Sequence, residues 1–132
     1  AAEVLGAEGV QIGTLFALAA ESSASDEFKR LCTSLNEGDT MLCLKKISPT
    51  RLVKNTLYAK VAEAEAAGAD ADALRTIMGK AASKRGIFEG DVENGEIEIG
   101  QIASAVKSID TVADIFARLN REYNERLSCL IK

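Results

Sequence analysis

Gly9-Val10-Gln11-Ile12-Gly13-Thr14 decides how the rest of this chain is read. The run is short, Val10 and Ile12 are β-branched, and glycines bound it, which predicts a strand ending at Gly13-Thr14. Upstream, Ala1-Ala2-Glu3-Val4-Leu5-Gly6 reads as the end of a helix stopped by a glycine cap. An opening inside a helix predicts a cut made within a larger protein. Downstream, Leu15 to Ala20 stays apolar and predicts a short helical turn. A glycine at the end of such a strand lets the backbone approach a phosphate closely. Its N–H and that of the next residue can then donate to phosphate oxygens, and the start of the following helix adds a favourable dipole. The Thr14 hydroxyl is a further donor. The plainer reading of Gln11, Ile12, Gly13 and Thr14 is a buried strand that ends in a turn.

Outward from this stretch, Ser22 to Ser25 offers N-cap residues. A helix is predicted from Asp26 to about Leu35, with Phe28, Leu31, Cys32 and Leu35 on one face. Asn36 to Asp39 stops it. Thr40 to Ile47 suits a short strand, closed by Ser48-Pro49. Arg51 to about Ala67 reads as a helix striped by Leu52, Leu57, Val61 and Ala64, with Gly68 as its cap. Asp70 or Asp72 then caps a helix carrying Leu74, Ile77, Met78 and Ala81, ended by Gly86. Glu89 to Gln101 is irregular. Asn94-Gly95 signals a hairpin turn, and Ile97 and Ile99 alternate with Glu96 and Glu98 as in a half-buried strand or an extended loop. Ile102 to Ile109 suits a short helix. Thr111 and Asp114 cap the last one, whose stripe is Val112, Ile115, Phe116, Leu119, Tyr123, Leu127 and Leu130. The pattern is one to three short strands and about five helices. It suggests the last β/α unit of an α/β fold, residues 1–20, followed by a mainly helical region, 21–132.

The 132 residues carry 16 basic and 20 acidic side chains, a net charge of −4, with no basic cluster, which argues against nucleic acid as a partner. No apolar stretch is long enough to span a bilayer, and the opening residues lack the basic and apolar run of a signal peptide, so none is expected. Three scattered cysteines without a CxxC pair predict reduced thiols in a cytoplasmic protein and no zinc site. Glu89 to Gly95 is acidic, but placing Gly95 at the sixth position of a calcium loop puts Gly90 and Val92 at ligand positions, so no metal is assigned. Arg51-Leu52-Val53-Lys54-Asn55 could contact an anion or form a helix surface. Histidine is absent, which removes the commonest general base.

Leu5 through Phe16, with Gln11-Ile12-Gly13-Thr14 at its centre, resembles the last barrel strand of nitronate monooxygenases (2-nitropropane dioxygenases) and of the flavin-dependent enoyl-acyl-carrier-protein reductase. Glu21-Ser22, Ala24-Ser25, Phe28-Lys29, Asp39-Thr40, Arg51 with Asn55, Glu89-Gly90-Asp91 and Gly95 through Ala103 continue the likeness in order. The resemblance implies a (β/α)8 barrel of the TIM type that binds FMN. It implies that Gln11, Ile12, Gly13 and Thr14 help hold the FMN phosphate, and that the parent enzyme oxidises alkyl nitronates with oxygen or reduces an enoyl thioester. Three departures stand out. The family's catalytic histidine lies earlier in the barrel, so no catalytic residue is assigned here. The preceding strand, whose glycine pair the resemblance implies also contacts the FMN phosphate, is expected to lie outside this chain. Leu15 occupies a position that is often basic. A barrel takes about 250 residues, so this chain is expected to be inactive alone, to bind FMN weakly or not at all, and to self-associate. The alternative of another class is a free-standing helical module that binds partners through its last helix.

Overall fold

The computed structural model describes residues 1–130. Among them are five α-helices and one two-stranded antiparallel sheet. Helix α1 spans Thr14–Ala17 and α2 spans Asp26–Ser34. Strand β1 is Thr40–Cys43 and β2 is Thr50–Val53. Helices α3 (Thr56–Ala66), α4 (Ala71–Met78) and α5 (Val112–Leu130) follow, with a π-turn at Lys84–Phe88 and a 3-10 turn at Gln101–Ala105 before α5. No helix among the described residues is long and apolar enough to cross a membrane.

The expected strand at Gly9–Thr14 is not formed. Residues 9–13 are irregular and Thr14 opens a helix. A strand exists by pairing, and no described strand lies beside this one. The segment is held instead by its ends. Gly6 adopts φ +92, the left-handed cap expected of it, and Leu18 is buried in the core.

The expected helix from Arg51 divides in two. Leu52 and Val53 are both buried, but Leu52 packs with Cys43, Val61 and Leu74, whereas Val53 packs with Phe28, Ile97 and Ala103. Neighbours on opposite faces are the period of a strand, and β2 separates two apolar clusters. Asn55 ends the strand and caps α3, its Oδ1 accepting from the Tyr58 N–H at 3.0 Å. Its amide donates to the carbonyls of Val92 and Gly95, both at 2.9 Å, tying the irregular 92–95 segment to β2.

Ile97 and Ile99 are buried around an exposed Glu98, as the alternation predicts. The Val53 N–H donates to Ile97 O at 2.9 Å and the Ile99 N–H to Arg51 O at 3.4 Å, so this segment lies along the free edge of β2. Asn94-Gly95 makes no hairpin, because no strand precedes it. The Gly95 N–H closes a turn onto Asp91 O at 2.8 Å, and Gly95 packs against the backbone of Gly86. Gly86 therefore lies inside the π-turn and does not end α4; Gly79 does, at φ +67.

Helix α5 starts as expected, the Thr111 hydroxyl meeting the Asp114 carboxylate at 2.6 Å. Its stripe is only partly covered: Ile115 is buried, Val112, Leu119 and Leu127 are half-buried, and Phe116, Tyr123 and Leu130 are exposed. The three cysteines are unpaired. Burial pushes the Cys32 thiol up to about 12. Burial, then the charges of Glu65 and Glu96, push Cys43 up to about 11. Cys129 is exposed. Brief alkylation of the native chain is expected to modify Cys129 alone, and alkylation in denaturant all three; native labelling at Cys32 would contradict this packing. Because the fold holds both buried thiols protonated, their contribution to stability is complete below the ordinary thiol value of 9.0 and is lost as pH rises through the raised values. The melting temperature should therefore fall above pH ~9, less steeply in Cys32→Ala.

Candidate functional site

Gly13 and Thr14 stand at the entrance of α1, and five contacts fix them there. The Gly100 N–H donates to Thr14 Oγ1 at 3.2 Å, joining segments 86 residues apart. The Phe16 ring meets Phe116 of α5 at 5.4 Å between centroids. The Ala20 N–H donates to Asp110 O at 2.9 Å. Glu21 caps α5 from a distance, its carboxylate accepting from the Val112 N–H at 2.9 and 3.1 Å. Lys29, itself buried, donates to the carbonyls of Ala20 and Ser22 at 3.0 and 2.9 Å. These contacts give physical roles to Glu21 and Lys29, which the sequence singled out only by resemblance, and to the Ser22 carbonyl.

An open cleft of about 370 Å³ lies here, lined by Gly13, Thr14 and Ala17 from one segment, Arg51 from β2, and Glu98, Ile99 and Gly100 from the segment beside it. The structure thus brings Gly13 and Thr14 to a concavity. Gln11 and Ile12 do not line it; Gln11 is exposed and Ile12 half-buried. Gly13 has φ −91 and ψ −65, a conformation open to any residue. A Cβ built on it meets nothing within 4 Å. No backbone strain and no close contact therefore requires glycine here. At Gly100 a Cβ would collide with the Thr14 hydroxyl. Thr14 therefore has a structural duty beside any ligand contact. It accepts from Gly100, and its own hydroxyl proton stays available. Arg51 and Gly100 are the lining residues whose place the sequence left open. The signal that could have found Arg51 is the Leu52/Val53 split, which sets Arg51 on the Val53 face of a strand.

The cleft thus brings the Gly13-Thr14 segment together with one cationic residue, Arg51, and one anionic residue, Glu98. The chain belongs to the nitronate monooxygenase family, whose model matches residues 1–122. Its fold is similar to that of FabK from Thermotoga maritima, at 28% identity and TM-score 0.86, covering 98% of this chain and 41% of that one. A methionine-to-alanine mutant of the same FabK matches at 27% identity and TM-score 0.80, covering 98% and 38%. The chain thus spans about two fifths of the length of these structures. No curated protein matches it significantly.

Proposed function

We propose that this chain supplies part of the phosphate end of the flavin site in an FMN-dependent oxidoreductase built on a (β/α)8 barrel. The observation that carries this reading is the Gly13-Thr14 backbone set on an open cleft, in a chain that matches the family over residues 1–122. The fit is physical. Space for a phosphate exists in front of Gly13, the Gly13 and Thr14 N–H groups belong to the first helical turn, and Arg51 adds positive charge. Gln11 and Ile12 would act by leading the chain into this turn. FMN, when bound, carries the electrons. The residues of this chain hold its phosphate and orient it, and no residue here is assigned to proton transfer. Completing a barrel takes the remaining three fifths or so of a family-length protein.

The reaction best supported is oxidation of alkyl nitronates by oxygen, in line with the family match. Reduction of an enoyl-acyl-carrier-protein thioester is the second reading, favoured by the likeness to FabK. A family-length protein carrying these residues should consume oxygen with a propyl nitronate. Nicotinamide-driven reduction of a crotonyl thioester in its place would select the second reading, and neither activity would refute both. The chain alone should show no turnover above free FMN. Val4, Leu5, Val10 and Leu130 are exposed, and Val4, Val10 and Leu130 line one open cleft. Sedimentation should accordingly detect self-association; a clean monomer at high micromolar concentration would speak for a self-contained module instead.

A further inference from the structure

Arg51 is the one cation among the described residues lining the cleft, and Glu98 the one anion. Strand β2 fixes the Arg51 backbone, which pairs with Leu42 on one side and accepts from the Ile99 N–H at 3.4 Å on the other. The side chain is anchored as well. Its Nη1 donates to Thr40 Oγ1 at 3.2 Å and to Thr40 O at 3.4 Å, and Thr40 is buried. None of the carboxylates among the described residues forms an ion pair with it. A guanidinium offers five N–H donors, and those on Nε and Nη2 meet no acceptor among the described residues. The chain carries 20 acidic and 16 basic side chains, so carboxylates are plentiful, yet none occupies this guanidinium.

We propose that Arg51 is an anion-binding residue of this cleft, taking a phosphate-sized oxyanion through the donors that Thr40 leaves free. The proposal rests on the cleft being an oxyanion site, and deepens that reading by adding a side-chain ligand to the backbone of Gly13 and Thr14. Glu98 makes the lining neutral overall, so attraction by net charge is weak. Recognition depends on the bidentate hydrogen bonds of a planar fork, whereas a lysine ammonium offers three rotatable donors without that geometry. The same balance predicts opposite effects at the two residues: loss of the guanidinium weakens binding and loss of the Glu98 charge strengthens it.

The test is titration of the chain with inorganic phosphate at constant ionic strength, followed by backbone amide and arginine Nε–H resonances. Shifts at Gly13, Thr14 and Arg51 should saturate in the millimolar range. Arg51→Met and Arg51→Lys should each weaken binding roughly tenfold, and Glu98→Gln should tighten it about threefold, as expected for millimolar sites differing by single contacts. Equal phosphate affinity in wild type and Arg51→Met overturns the assignment of Arg51 while the cleft reading stands. Should Arg51→Met fail to fold, the Arg51 Nε–H of the wild-type chain decides: an unmoved resonance while Gly13 shifts overturns it equally. Parallel titrations with FMN and riboflavin separate the two readings. Phosphate held by Arg51, with FMN binding no better than riboflavin, removes the flavin and keeps Arg51. Absence of any phosphate-induced shift overturns both.

Discussion

Gly95→Val is expected to lower stability by about 3 kcal/mol and the melting temperature by about 10 °C. Gly95 and Gly86 pack backbone against backbone. A Cβ on Gly95 would lie 2.5 Å from both Asp91 O and the Gly86 nitrogen. On Gly86 it would lie 2.8 Å from Ile97 Cδ1 and closer still to the Glu96 carbonyl. Main chain cannot swing aside as a side-chain tip can, so the π-turn and the 91–97 segment must separate. Their separation would also strain the Asn55 amide, which holds the Val92 and Gly95 carbonyls. Gly9→Ala is the control, since nothing lies within 4 Å of its Cβ and its φ is not positive. It should stay within about 0.5 kcal/mol of wild type. Thermal melts decide, and a Gly95→Val variant that melts with wild type would refute the packing described.

The second large effect is on ligand binding. Gly13→Val should weaken binding of FMN or inorganic phosphate at least tenfold, about 1.4 kcal/mol, while costing at most about 1 kcal/mol in stability. The two effects separate because the side chain enters open space: no atom lies within 4 Å of the Cβ, and the backbone angles suit valine. The branched side chain then occupies the volume that the anion would take. Thr14→Val should act differently. It removes the acceptor of the Gly100 N–H as well as a donor to the ligand, so both stability and binding should fall. Unchanged phosphate affinity in a folded Gly13→Val protein would mean that this backbone does not face the anion.

The parts of the fold legible in the sequence are those that local chemistry specifies. Ser25, Asp70 and Thr111 cap the helices they precede, and Gly6 and Gly68 take the left-handed conformations expected after a helical turn. The parts that were misread depend on partners distant in sequence. Val10 and Ile12 have the composition of a strand, but composition does not supply a neighbour to pair with. Arg51 to Asn55 reads as helix by spacing alone. It becomes a strand because two apolar clusters form on its two sides, one involving Ile97 and the other Leu74. Asn94-Gly95 has the residues of a tight hairpin, yet its glycine answers to steric contact with Gly86 and not to a positive φ. Gly13 and Thr14, singled out by a strand-end pattern and by resemblance, line the cleft although no strand ends there. The sequence marks Arg51 as a possible anion contact but on a helix, and its nearness to Gly13 and to Gly100 arises from the β2 edge pairing, which spacing does not reveal.

The cleft at Gly13 and Thr14 is proposed to receive the phosphate of a flavin. FMN and riboflavin differ by that phosphate alone. Titrating the chain with each, and following backbone amides, isolates the group in question. FMN should shift Gly13, Thr14 and Gly100 with millimolar affinity (order of magnitude for a partial cradle), and riboflavin at equal concentration should leave them unmoved. Identical responses to the two ligands, or FMN-induced shifts confined to residues away from the cleft, would contradict the account.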